Sequence, residues 1–246
     1  MPNALYTDLS KYYDLMCSDI DYRRQSEWAM RAHHLLGNSS KLHLDLACGT
    51  GQHIKCFIDN GYDCRGLDIH QGMLDIAKER CGSAHFVLAN MTNFILDEPV
   101  DLITCFLYSL HYCQSIADLK SCIQSVHRGL NKGGMFCFNA VDKDTICNHR
   151  FEHHSVQHDN SEFVFASAWH YMANAEQQSL SIRIQKTQND ERQVWQDTHS
   201  MVAFSFEQLH DLLRPYFDVL IFEHDYTKLI EWDKHSGNAT FVCVKA

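Results

Sequence analysis

A doubly wound α/β fold, built on a mostly parallel sheet of seven strands, is predicted by three features of this 246-residue chain. Residues 41–53, KLHLDLACGTGQH, read as a strand, a glycine turn and the start of a helix. A second strand, 64–69, follows at the spacing of a strand–helix–strand unit and carries Asp68 at its end. The stretch 100–106 is apolar throughout after Asp101, as suits a parallel strand covered on both faces.

The remaining elements follow in chain order. Leu5, Leu9, Tyr12, Tyr13 and Met16 stand at helical spacing, so a helix is expected over 5–16. A second helix covers 22–36 and stops at Gly37-Asn38, a suitable C-terminal cap. Leu42, Leu44 and Leu46 alternate with polar residues in the first strand, and Asp45 precedes the turn. Gly49 and Gly51 let the backbone approach a ligand, and the free N–H groups of the helix that follows favour an anionic group. Asp68 lies where an acid suits the hydroxyls of an adenosine ribose. A helix with Met73, Leu74, Ile76 and Ala77 ends at Cys81-Gly82, and the third strand, 85–88, leads to Ala89-Asn90-Met91. The fourth strand runs into Leu107 to Tyr112, at the carboxyl edge of the sheet where α/β folds place their chemistry. A helix over 116–130, a turn at 131–134 and a fifth strand at 135–141 complete the core.

Residues 142–160 are polar and read as an irregular loop. Three alternating segments, 163–171, 179–187 and 193–204, read as an inserted antiparallel β meander, with Asn189-Asp190 as a hairpin turn. A last helix over 205–213 has Ser205 as its N-cap and stops before Pro215. Segments 217–222 and 239–244 form a closing antiparallel pair. The expected organisation is one domain over 1–246: leading helices in 1–40, a cofactor-binding core in 41–141, the insert in 161–204, and the last helix and strand pair in 205–246.

The formal net charge of −10 and the lack of any basic block argue against a nucleic-acid partner, which needs clustered Lys and Arg. No apolar run approaches the length of a membrane span and no secretory leader precedes Leu5, so no membrane association is expected. Most of the eleven cysteines fall inside predicted strands and helices without a CxxC pair, and a reducing cytoplasm is the expected location. Of seventeen histidines, His149, His153, His154 and His158 form the densest group. On a helix, 149/153 and 154/158 would share a face, but no Cys or closely spaced acid completes a ligand set, so no metal site is expected.

A nicotinamide-binding fingerprint needs a third glycine three residues after the second, and Ile54 stands there. Asp45-Leu46-Ala47-Cys48-Gly49-Thr50-Gly51, with Gly66-Leu67-Asp68-Ile69 and Met73-Leu74, instead resembles the motifs of class I S-adenosylmethionine-dependent methyltransferases. Leu130 to Gly134 resembles the same family's Leu-x-x-Gly-Gly stretch, and Tyr13-Asp14 its leading tyrosine–aspartate pair. The resemblance covers most of the chain and is nearest to small-molecule members with an antiparallel insert, among them sugar-amine N,N-dimethyltransferases. It implies a Rossmann-like sheet, S-adenosyl-L-methionine as cofactor and a small-molecule methyl acceptor, with N or O as the methylated atom.

The same resemblance implies roles for particular residues. Tyr13 and Ala47 would contact the cofactor, Gly49 and Gly51 would lie against its methionine portion, and Asp45 would receive its ammonium directly or through water. Asp68 would accept the ribose hydroxyls, while Ile69, Met73 and Met91 enclose the adenine. Asn90 stands at the adenine edge where many members carry aspartate, and Phe106 would line the floor below the sulfur. His111 and Tyr6 are candidates for proton transfer, and Tyr112, Trp169 and Trp195 for the substrate wall. The chain is expected to act as a monomer or homodimer. Other readings are a non-catalytic S-adenosylmethionine-binding module, or a protein or nucleic-acid methyltransferase. Against the last, the Asn/Asp-Pro-Pro-aromatic stretch of base and glutamine N-methyltransferases is replaced here by Phe106-Leu107-Tyr108-Ser109, and paired glutamates as in protein-arginine enzymes are not found.

A thermal-shift measurement tests the cofactor directly. S-adenosylhomocysteine at about a hundred times its Kd should stabilise the protein by about 2.7 kcal/mol, and NAD should leave the Tm unchanged. Equal stabilisation by NAD would contradict the motif reading.

Overall fold

In the computed structural model, residues 4–6, 9–38 and 40–246 are described. A seven-stranded sheet has the order β10-β11-β5-β4-β1-β2-β3, where β1 is Leu42–Leu46, β2 Asp63–Asp68, β3 His85–Leu88, β4 Val100–Cys105, β5 Leu130–Val141, β10 Asp218–Glu223 and β11 Asn238–Val244. β1 to β5 run parallel, and β11 enters antiparallel between β5 and β10. The expected doubly wound, mostly parallel sheet is therefore present.

The alternation of the strands explains the two cores. Leu44, Leu46, Ile103, Cys105, Phe136 and Phe138 point to one face, where helices α5 (Ile116–Gly129) and α6 (Phe206–Leu213) cover them. Leu102, Met135, Cys137 and Val242 point to the other, beneath α2 (Tyr22–Leu36) and α3 (Gln52–Asp59). Each of these helices but α3 starts with a side-chain cap: Asp21 accepts from Arg24 N–H, Ser115 from Asp118 N–H, and Ser205 with Gln208 forms a reciprocal capping box. No helix among the described residues is long and apolar enough to cross a membrane.

Three expectations need correction. The helix over 5–16 is broken into 3₁₀ turns at Ala4–Tyr6 and Ser10–Tyr12 and a single α-turn, α1 (Tyr13–Met16); Thr7 and Asp8 lie outside the described residues. Leu5 is fully buried against Phe163, Phe165, Ile182 and Ile184 of the insert, so tertiary contact overrides the helical spacing here. The turn at 131–134 is a bulged start to β5: the register with β4 shifts between Val100 and Leu102, Gly133 takes φ +72°, and its N–H donates to Lys245 C=O. The polar loop at 142–160 holds a strand, β6 (Glu152–His158), so the inserted sheet has four strands. Its partners are β7 (Ser161–Tyr171), β8 (Gln177–Gln188) and β9 (Glu191–Val202), all antiparallel.

β6 escapes the pattern rules because it is an edge strand with most side chains exposed, so no apolar alternation marks it. Its turn is legible in retrospect: Asp159 and Asn160 take positive φ, as Asn189 and Asp190 do in the β8–β9 turn. The strand also removes the helical geometry assumed for the histidine group, since His153 and His154 now point to opposite faces. Among the described residues no group of three or more His, Cys, Asp or Glu side chains is placed to hold a metal.

Gly66 sits where the β1–β2–β3 sheet is tightest. A Cβ there would stand 2.6 Å from Ile54 Cδ1 and 2.7 Å from the Phe86 ring. Gly66→Ala should therefore destabilise the protein by about 1–3 kcal/mol through overpacking, read as a lower midpoint in chemical denaturation. An unchanged midpoint would mean that Phe86 swings aside freely.

Candidate functional site

The carboxyl ends of β1, β2 and β4 open onto a cleft. Ala47, Gly49 and Gly51 all take positive φ, at 52°, 52° and 80°, which turns the chain sharply from β1 into α3. Gly51 has Ala77 Cβ 3.2 Å from where its own would be, so the turn can settle close to helix α4 (Gln71–Arg80) only with glycine there. The turn is tied to its surroundings by side chains. Gly49 N–H donates to Asp68 Oδ2 at 2.9 Å, and His70 N–H donates to Asp68 Oδ1 at 2.8 Å. Thr50 Oγ1 donates to Asp14 Oδ1 at 2.6 Å, and Arg80 pairs with Asp14 Oδ2 at 2.5 Å while also bonding Thr50 C=O.

Asp68 is 6% exposed, and burial raises its carboxyl while the two backbone N–H groups oppose that rise. It lines a cavity of about 270 Å³ together with Tyr6, Tyr13, Gly49, Ile69, Met73, Asn90, Met91 and Tyr112. Asn90 Oδ1 accepts from both Thr92 N–H and Thr92 Oγ1 at 2.9 Å, so its oxygen is engaged and its amide NH₂ is left for a ligand. A ligand ring nitrogen can accept from that NH₂. The substitution of Asn for Asp thus changes which partner the ligand edge must offer.

Asp45 lines a smaller adjoining recess with Tyr13, Gly49, His53 and Phe106. Thr104 Oγ1 donates to Asp45 Oδ1 at 2.6 Å, and the buried His43 Nε2 donates in turn to Thr104 Oγ1 at 2.8 Å. Burial pushes the Asp45 carboxyl up to about 7, against the pull of the Thr104 hydrogen bond. Such a carboxylate favours a cation, and an ammonium arriving in the recess would restore its ordinary acidity. Phe106 is 3% exposed and lies over the His53 ring at 5.0 Å. An amino-acid ammonium near Asp45 and a ribose at Asp68, joined across the glycine turn, match the two ends of S-adenosylmethionine. The residues present fit that cofactor.

A second cavity of about 250 Å³ lies between the N-terminal segment and the insert. Tyr6, Tyr13, Leu107 and Tyr112 line both it and the larger cofactor-side cavity. Leu107 and Tyr108 both take positive φ, 55° and 61°, which is uncommon for such residues and marks the chain reversal after β4. Tyr108 N–H is held by Asn139 Oδ1 at 3.1 Å, and the Tyr108 ring meets Trp169 edge-on at 5.6 Å.

The junction carries a hydrogen-bonded chain absent from the sequence reading. Tyr6 Oη lies 2.6 Å from Tyr112 Oη, Tyr112 Oη lies 2.5 Å from His199 Nδ1, and His199 Nε2 lies 3.2 Å from Asp197 Oδ2. Strand period two puts Asp197 and His199 on the same face of β9, toward the cavity. Because the Asp197 carboxylate only accepts, His199 holds its proton on Nε2 and presents the Nδ1 lone pair to Tyr112. Burial lowers His199 below the ordinary imidazole range, with Asp197 opposing, and burial raises the Tyr6 and Tyr112 hydroxyls.

Two expected residues take other places. His111 is fully buried and lines neither cavity: Nε2 accepts from Val141 N–H at 3.1 Å, Nδ1 meets Val202 C=O at 3.0 Å, and the ring stacks on Phe204 at 4.2 Å. Burial pushes it down to about 4, so it serves as a neutral tether between β5 and the end of β9. Trp195 pairs across from Ile184 and packs against Tyr12 at 6.0 Å, beyond the cavity wall, whereas Trp169 lines the cavity.

A seven-stranded sheet of this order, with a glycine turn fastened to an acid at the end of β2, gives the chain a Rossmann-like fold similar to that of solved S-adenosylmethionine-dependent methyltransferases. Residues 44–134 match the family model described as a methyltransferase domain. Among curated proteins it is similar to dTDP-4-amino-2,3,4,6-tetradeoxy-D-glucose N,N-dimethyltransferase of Saccharopolyspora spinosa, 33% identical over 92 residues, 37% of either chain. It is also similar to malonyl-[acyl-carrier protein] O-methyltransferase of Serratia marcescens, 30% identical over 99 residues, 40% of this chain and 37% of that one. The chain thus spans little more than a third of the length of these two relatives. In fold it is similar to Streptomyces venezuelae DesVI, with a TM-score of 0.84 at 19% identity over 98% of this chain and 99% of that one.

The buried Asp45 carboxyl gives a prediction with a definite sign. A carboxyl raised in the folded state contributes stability that is fully present below its unfolded value and is lost as pH rises through about 7. Asp45→Asn should therefore raise the Tm of the ligand-free protein most at about pH 8, less at about pH 5, and leave it nearly unchanged only below about pH 4, the unfolded range of the carboxyl. The same variant should bind S-adenosylhomocysteine more weakly, as titration calorimetry would show. A variant that is less stable at about pH 8 would contradict the assigned protonation.

Proposed function

We propose that this chain transfers a methyl group from S-adenosyl-L-methionine to a nitrogen or oxygen of a small molecule, with nitrogen preferred. The observation that carries the proposal is the shared wall of Tyr6, Tyr13, Leu107 and Tyr112, which brings a cofactor-sized cleft and a second, aromatic cavity into contact. A binding module has no need of the second cavity. Support for nitrogen comes from the similarity to a sugar-amine N,N-dimethyltransferase.

The cofactor supplies a methyl group already activated on sulfur, so alignment and proton removal are left to the protein. Asp45 and Asp68 anchor the two ends of the cleft, and Met73 and Met91 hold an apolar wall between them. Tyr6 and Tyr13, ahead of β1, cover the cleft, and the insert supplies the acceptor side through Trp169, with His199 behind Tyr112. As the acceptor loses its proton, Tyr6 Oη accepts it while passing its own to Tyr112 Oη, and Tyr112 passes its own to His199 Nδ1. Asp197 stabilises the imidazolium that results. His199 replaces His111 as the proton acceptor because its ring reaches the cavity wall through Tyr112 and its Nδ1 lone pair is free to receive.

Incubation with methyl-labelled cofactor and a panel of small amines and phenols tests the assignment. Label should leave with a small-molecule product and S-adenosylhomocysteine should accumulate; label on protein or nucleic acid alone would contradict it. With an accepted amine, wild-type turnover should rise with pH through an ionisation below the ordinary imidazole value. His199→Gln should remove that limb and lower turnover by about 10²-fold or more, while S-adenosylhomocysteine affinity stays unchanged. An identical pH profile in His199→Gln would show that the proton leaves by another route.

A further inference from the structure

The curated sugar-amine relative is named for a dTDP-linked substrate, and a diphosphate is recognised by Arg, Lys or a cluster of backbone N–H groups. The walls of the two joined cavities offer no Lys or Arg among the described residues. The carboxylates in the wall of the acceptor cavity, Asp19 and Glu152, have the opposite sign. Arg150, outside the cavity wall, is held by Glu152 at 2.6 Å, and Arg80 is bound to Asp14 and Thr50 on the cofactor side. Lys11 and Lys186 lie over the rings of Tyr12 and Phe163, neither of which lines the cavity.

What the cavity does offer is aromatic surface. Tyr6, Tyr13, Tyr108, Phe165 and Trp169 present ring faces or edges, and Met16 and Met201 fill between them. Such walls attract an apolar ring and an ammonium together, the second through cation–π contact. At about 250 Å³ the space lies just below the usual range of about 300–1,000 Å³ for ligand pockets, which favours a compact acceptor.

Resting on the methyltransferase reading above, we infer that the acceptor is a compact, phosphate-free arylalkylamine, an aromatic ring carrying an aliphatic amino group, not a nucleotide-linked sugar. Its ring lies among Tyr108, Phe165 and Trp169, and its amino group faces Tyr6 at the junction with the cofactor cleft. The amine enters as an ammonium, drawn by the Asp19 carboxylate and the ring faces of the cavity wall, and gives up its proton to the Tyr6–Tyr112–His199 chain. The free amine then has its lone pair available for the methyl group.

Titration calorimetry on protein saturated with S-adenosylhomocysteine separates the possibilities, with tyramine and dTDP as probes at about pH 8. Tyramine should bind saturably at one site, and dTDP should give no saturable heat. Trp169→Ala should weaken tyramine at least tenfold with S-adenosylhomocysteine affinity unchanged, and Trp169→Phe should keep most of the affinity. Saturable dTDP binding that competes with tyramine would overturn the inference, as would failure of tyramine to bind. Failure of S-adenosylhomocysteine itself to bind would sink the methyltransferase reading, and this inference with it.

Discussion

The hydrogen bond from Gly49 N–H to the Asp68 carboxylate is the contact on which the site depends. It joins the turn after β1 to the end of β2, so the left-handed backbone at Ala47, Gly49 and Gly51 is held open toward the cleft. Asp68 can do this while still facing the cavity because each carboxylate oxygen accepts more than one donor. Its partner at the other end of the cleft, Asp45, is placed by the same sheet: β1 and β4 pair Asp45 with Thr104, whose hydroxyl holds the carboxylate in place. Two acids buried within one cleft, each satisfied by neutral donors, leave room for a ligand with hydroxyls at one end and an ammonium at the other.

Around that frame the rest of the chain closes a second space. Asp14 fastens the N-terminal segment onto the glycine turn through Thr50 and Arg80, and Leu5 plugs the same segment into the core of the inserted sheet. His111 bonds the backbone of β5 to that of β9, which fixes the insert over the cleft. The insert can then present Trp169 to the second cavity and His199 to Tyr112 without being part of the parallel sheet. Stability and chemistry are shared differently between the two histidines: one is buried with both nitrogens engaged by the backbone, the other has a lone pair turned to a tyrosine at the cavity.

Much of the cofactor side was legible because its signal is local. A strand, a glycine turn and an acid one strand later lie within thirty residues, and β1 through β5 announce themselves by apolar runs and caps. The acceptor side is assembled from distant segments, and there the sequence is less informative. Asp197 and His199 look like two polar residues on an alternating strand until β9 is seen to face Tyr112, 87 residues earlier in the chain. His111 is a candidate for proton transfer by its place after β4, but past the chain reversal at Leu107 and Tyr108 it is buried. Trp195 was grouped with Trp169 by aromatic character, and the register of β8 and β9 separates them. β6 was missed because an exposed edge strand has no apolar face to betray it.

A crystal structure of the complex with S-adenosylhomocysteine tests the central claim most directly. The ribose hydroxyls should lie within hydrogen-bond distance of the Asp68 carboxylate, the amino group should point into the recess beside Asp45, and the sulfur should face the wall shared by Tyr6, Leu107 and Tyr112. A ligand whose ribose is held by other residues, or whose sulfur points away from that wall, would contradict the account.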